Sequence, residues 1–91
     1  ILGDVSGAEA DIRQNPVYVA LNLCRVLAFL ADGAVLSKQQ GGLWGLARLP
    51  EGYHPLLRAA LASYETGAPF PAAMPLDAFA ADLLARIHSH T

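Results

Sequence analysis

The chain has 91 residues, the size of one domain near the lower end of the usual range. It is 54% hydrophobic and only 15% charged, against roughly a quarter charged in typical soluble domains; the excess predicts an apolar face turned towards another domain or a second copy. A net charge of −2 removes the electrostatic case for nucleic-acid binding.

Residues Ile1 to Gln14 place Ile1, Val5, Ala8 and Ile12 at helical spacing, with Asp4, Glu9 and Asp11 opposite. They predict a short helix that Gly3 and Gly7 weaken. The opening Ile1-Leu2-Gly3-Asp4 has neither an initiator methionine nor the basic-then-apolar pattern of a signal peptide. It is expected to be a cut through a longer chain, a pattern that a disordered or removed N-terminus would also give.

Asn15-Pro16 opens the element around which the rest is organised. Pro16 suits the first helical turn, where its missing N–H is no loss, and Asn15 before it suits the N-cap. From Val17 to Leu30 almost every residue is apolar, so the predicted central helix, Pro16 to about Ala31, must be covered on most of its circumference. Asn15, Tyr18, Asn22, Arg25 and Asp32 form its one polar stripe, at i, i+3, i+7, i+10 and i+17. Such a stripe either packs against polar partners or lines a cleft. Arg25 and Asp32 also keep this segment below the ~18 uncharged residues of a membrane span, so no membrane partner is expected. Cys24, the single cysteine, excludes an internal disulfide and reads as a small core residue, which fits a reducing, cytoplasmic setting. Asp32-Gly33 ends the helix, with Gly33 suited to a left-handed cap.

After the apolar link Ala34-Val35-Leu36, Ser37-Lys38-Gln39-Gln40 matches a capping box. It opens a helix from Lys38 to Leu49 carrying Leu43, Trp44, Leu46, Ala47 and Leu49. Gly41, Gly42 and Gly45 each cost that helix about 1 kcal/mol relative to alanine, and are at home where another backbone or a ligand comes close. Pro50-Glu51-Gly52 breaks the chain. Pro55 opens a fourth helix whose Leu56, Leu57, Ala60, Leu61 and Tyr64 form an inward stripe, ended by Thr66-Gly67. The loop from Ala68 to Pro75 lies against the surface through Phe70. A last helix runs from Leu76 to about His88 with Leu76, Phe79, Ala80, Leu83, Leu84 and Ile87 inward. Nothing reads as a strand and no repeat is visible. The expected fold is all-α, an up-and-down bundle of four to five helices.

His54, His88, His90 and Cys24 have neither the spacing nor the number of a zinc site. No Ser-His-Asp set, phosphate-cradling glycine loop or Asp-x-Asp pair occurs. No catalytic residue and no metal ligand is therefore assigned to this chain. Arg48 and His54, with five residues between them, resemble the R-x(4–6)-H signature of the helical HEPN ribonucleases. The plain alternative is an exposed arginine and a helix-start histidine, kept off one helix by Pro50 and Gly52. Lys38, the only lysine, sits where a cation is mildly unfavourable against the helix dipole. With the first-turn N–H groups it makes an anion site; otherwise it is a solvated surface residue. Trp44 and Tyr64 read as core aromatics by count alone.

One run of residues also resembles a known family. Leu21-Asn22-Leu23-Cys24-Arg25-Val26-Leu27, Gly33-x3-Ser37-Lys38, Trp44-x4-Leu49-Pro50, Tyr53-x-Pro55 and Tyr64 fall in order without gaps over about fifty residues. In that joint spacing Asn15–Tyr64 resembles the helical C-terminal domain of the aminoglycoside adenylyltransferases of the streptomycin/spectinomycin type. The resemblance implies an accessory domain, with ATP and Mg²⁺ as cofactors of the parent enzyme. The partners it implies are the chain's own N-terminal nucleotidyltransferase domain, which holds the catalytic carboxylates, and a small-molecule acceptor. It implies that residues 1–91 form one helical domain in the C-terminal part of a longer chain. It further implies that Lys38 contacts the nucleotide phosphates and that Tyr64 lines the nucleotide and substrate site. Asn15, with Tyr18 and Asn22 on the same stripe, falls on the substrate side. At the position of Asn15 the streptomycin enzymes carry an aspartate that binds the cationic drug, and an amide lacks that charge. Two other functions stand beside this one: a stand-alone helical module forming a homodimer through its apolar excess, and a HEPN-like ribonuclease using Arg48 and His54.

Overall fold

The computed structural model describes residues 15–71 and 74–90; the helix expected over Ile1–Gln14 lies outside them. Helix α1 spans Pro16–Asp32 and buries Ala20, Leu21, Leu23, Cys24, Val26, Leu27 and Ala28. Pro16 takes its first turn as expected. Asn15 stands at the N-cap as expected and its C=O accepts from the Val19 N–H at 3.0 Å, but its side chain makes no capping bond, a correction to that part of the reading. Pro16 already removes one orphan donor, and the Asn15 side chain lines a cleft instead. At the other end Gly33 adopts φ 67°, and its N–H donates to Phe29 O at 2.9 Å, the left-handed stop that a glycine makes without Cβ strain. Cys24 is fully buried, which pushes its thiol up to about 12, so it serves as a small neutral core residue.

Helix α2 covers Lys38–Arg48, a 3-10 turn Glu51–Tyr53, helix α3 His54–Thr66 and helix α4 Leu76–Ser89. No strand occurs among the described residues, and the chain forms the expected all-α bundle. Helix α1 packs against the three other helices of the described residues. Its near-continuous apolar surface requires this, because only one stripe is free of core contacts.

The Ser37 capping box is complete: the Gln40 N–H donates to Ser37 Oγ at 3.1 Å and the Ser37 N–H to Gln40 Oε1 at 2.9 Å. The buried residues of α2 are Gly41, Gly42 and Gly45. Leu43 is 52% exposed, on the outer side of this helix. The glycines let α2 lie directly on α1. A Cβ at Gly41 would stand 2.6 Å from Arg25 Cγ, 3.1 Å from Leu21 O and 3.2 Å from Arg25 N. Two of those three neighbours are backbone and cannot swing away. Gly41→Ala would gain about 1 kcal/mol of helix propensity against an overpacking cost of about 1–3 kcal/mol, and net destabilisation is expected. Gly52→Ala, where a Cβ meets nothing within 4 Å, should be neutral or slightly stabilising. Urea unfolding of both variants checks the pair, and an unchanged Gly41→Ala midpoint would remove the close-approach explanation.

Helix α3 buries Leu56, Leu57, Ala60 and Leu61. It runs antiparallel to α1: Leu57 meets Cys24 over Gly45, and Leu61 meets Leu21 over Gly42. Tyr64, expected on the inward stripe, is 43% exposed. One turn beyond Leu61 the core has ended, and the ring comes out beside Tyr18.

The expected break at Pro50 is a 3-10 turn that feeds α3 from His54, one residue before Pro55. Tyr53 in that turn packs edge-on against Phe79, centroids 5.1 Å apart, and its hydroxyl donates to Asp82 Oδ2 at 2.8 Å. Arg86 Nε donates to Asp82 Oδ1 at 3.0 Å, so one carboxylate ties the turn to α4. Burial works to raise the Asp82 pKa, but the hydrogen bonds from Arg86 and Tyr53 outweigh it and hold the carboxyl below its ordinary value. Burial, then the bond to Asp82, raises the Tyr53 hydroxyl. The depressed Asp82 stabilises the fold above its unfolded pKa of about 3.9, and this is lost as pH falls through the folded value. The raised Tyr53 stabilises below about 10, and this is lost as pH rises through its folded value. Asp82→Asn should therefore flatten the acid limb of a stability–pH curve measured from pH 6 to 2. Superimposable limbs in wild type and variant would show that this pair contributes nothing.

In α4 the buried residues are Phe79, Ala80, Leu83, Leu84 and Ile87. No helix among the described residues is long and apolar enough to cross a membrane.

Candidate functional site

The polar stripe of α1 does both things its pattern allowed, at different heights. At its C-terminal end Asp32 Oδ2 accepts from Trp44 Nε1 at 2.8 Å and pairs with Arg48 Nη2 at 2.7 Å. In the middle Arg25 Nε donates to Leu36 O at 2.8 Å and Nη1 to Asn22 Oδ1 at 3.4 Å. These bonds hold the 33–37 link against α1, so that α2 starts beside the N-terminal half of α1. There the stripe opens into a cleft.

Three helices build that opening. Lys38 comes from the first turn of α2, with Nζ 5.8 Å from the centroid of the Tyr18 ring. Tyr64, from the last turn of α3, stands edge-on to Tyr18 at 6.2 Å and 90°. Asn15, Pro16, Val17, Tyr18, Ser63, Tyr64 and Phe70 line an open cleft of about 300 Å³. Gln39 Nε2 donates to Glu65 Oε2 at 2.6 Å, joining the start of α2 to the end of α3 beside it. Lys38 is not in the cleft lining but stands beside it over Tyr18; with this ammonium alongside, the Tyr64 ring, a carboxamide and a serine hydroxyl suit an anion attached to a flat ring. They provide no nucleophile with a base beside it. Among the described residues no three His, Cys, Asp or Glu side chains cluster as a metal site, so the residues at this cleft fit a phosphate better than a magnesium ion.

The family model for the C-terminal domain of aminoglycoside adenylyltransferase matches residues 1–86. The chain belongs to that family. No curated protein and no solved structure matches it.

In this adenylyltransferase C-terminal domain, three of the five residues singled out from the sequence, Asn15, Tyr18 and Tyr64, line one cleft, and Lys38 stands beside it over the Tyr18 ring. Asn22 does not join them; one turn further along α1, its Oδ1 accepts from Arg25, which makes it part of the scaffold behind the cleft. Trp44, read as a core aromatic, is half-buried with its indole N–H on Asp32 and Arg48 stacked 5.7 Å from its ring. Arg48 is thus held by Asp32, while His54 Nε2 is buried without a hydrogen-bond partner. The two are not presented as a solvent-facing pair of the ribonuclease kind. Ser63 and Phe70 are cleft residues that the sequence reading did not assign. Their signal was slight: Ser63 precedes Tyr64, and Phe70 is the one aromatic in a proline-rich loop.

Proposed function

We propose that this chain is the accessory domain of a nucleotidyltransferase, forming one wall of a cleft that an N-terminal catalytic domain completes. The placing of Lys38 over Tyr18, beside an open cleft that Tyr18, Tyr64 and Asn15 line, in a member of this family, carries the reading. Lys38 presents its ammonium to the phosphates of ATP, and Tyr64 lies along the nucleotide. Asn15 and Ser63 offer hydrogen bonds to a hydroxyl-bearing acceptor. Magnesium, held by carboxylates of the catalytic domain, supplies the neutralisation of charge that nucleotidyl transfer needs. The residues of this chain bind and orient. It works where ATP is supplied, in the cytoplasm.

On this reading the 91-residue chain incubated with Mg²⁺, ATP and streptomycin releases no pyrophosphate. The same chain joined to its catalytic domain binds ATP with an affinity that depends on Lys38. Clear turnover by a pure sample of the chain alone would sink the division of labour.

A further inference from the structure

We infer that Tyr18 is a positioning residue, which holds the Lys38 ammonium at the cleft and couples it to Tyr64. The inference rests on the nucleotide role proposed for that cleft. Lys38 has no structural reason to stay where it is. Its place in the first turn of α2 is mildly repulsive against the helix dipole, and a lysine side chain carries about 2 kcal/mol of rotamer entropy. Asp32 is paired with Arg48 and Asp82 with Arg86. Glu65, the carboxylate on the last turn of α3, is engaged by Gln39. What Lys38 does have is the face of Tyr18, 5.8 Å away.

A ring and a carboxylate are different anchors for a cation. A carboxylate would neutralise the charge and occupy N–H donors that a phosphate needs. A ring face holds the ammonium by its quadrupole and leaves all three donors free. Tyr18 is 55% exposed, so core packing does not account for an aromatic there. Its orientation is set in turn by the edge contact with Tyr64. A ligand that lies against Tyr64 therefore presses on Tyr18 and, through it, on Lys38.

The test is a double-mutant cycle read by ATP titration into the full chain with its catalytic domain. Tyr18→Leu should weaken ATP about two- to fivefold, the range of an exposed cation–π contact, and Tyr18→Phe, which keeps the ring, should restore it. In the Lys38→Ala background Tyr18→Leu should change nothing further. An unchanged ATP affinity for Lys38→Ala alone overturns the nucleotide reading itself. A weakened Lys38→Ala beside an unchanged Tyr18→Leu overturns only the positioning role. Additive losses would make Tyr18 a direct ligand contact, and a Tyr18→Phe as weak as Tyr18→Leu would assign the effect to the hydroxyl; either overturns the inference. In the 91-residue chain, the Lys38 ε-methylene protons should show a ring-current shift that Tyr18→Leu abolishes. Its absence in the wild type would also overturn it.

Discussion

Phe79→Ala is expected to lower the unfolding free energy by about 3–5 kcal/mol. The side chain is 0% exposed and stands first among the fully buried side chains by volume. It sits in the cluster formed by Leu23, Leu56, Leu57, Leu83 and Ile87, with the edge-on ring of Tyr53 against it. Truncation loses the transfer free energy of the ring and leaves a cavity that three helices cannot close without breaking their own contacts. It also removes the surface that positions Tyr53 for its bond to Asp82. Against a total stability of about 5–15 kcal/mol for a typical domain, this is the largest single loss expected here. Phe79→Leu should cost much less, since it keeps most of the volume. Urea denaturation of the three proteins measures both steps, and a Phe79→Ala loss under about 1 kcal/mol would mean that the core refills the space.

Lys38→Ala should do the reverse: little to stability and much to binding. The residue lies at the rim of the bundle with its ammonium over Tyr18, and surface substitutions usually stay within about ±0.5 kcal/mol. A charge-assisted contact to phosphate is worth about 1.5–3 kcal/mol, which is roughly ten- to a hundredfold in ATP affinity. The loss should shrink as salt is raised, because the ammonium of a half-buried residue at the rim is still screened within about a Debye length. Isothermal titration at two ionic strengths, paired with melting curves, separates the outcomes. A lower melting temperature with equal dissociation constants would make Lys38 structural.

Local patterning determined the four described α-helices to within a residue or two at their ends. The apolar run after Asn15-Pro16, the Ser37-Lys38-Gln39-Gln40 box and the glycines at 33 and 67 act through hydrogen bonds and dihedrals within a few residues. Such signals are complete in the chain before it folds. The inward sets of α3 and α4 were equally legible, apart from Tyr64 at one end and the half-buried Leu76 at the other. The family resemblance marked Lys38 and Tyr64, though not their geometry. Three matters belonged to the tertiary structure. It turned the glycines of α2 inward and Leu43 outward, because the α1 backbone at Leu21 and Arg25 beside Gly41, and the side chains of Leu21, Leu61, Cys24 and Leu57 beside Gly42 and Gly45, leave no room for side chains. It split one polar stripe, sending Asn22 to Arg25 and Tyr18 to the cleft. It put Tyr64 at the rim, where its ring meets the half-exposed Tyr18 of the first turn of α1 in place of the core. Helical periodicity says which residues share a face; what stands opposite that face depends on the crossing of helices distant in sequence, and no local pattern encodes it.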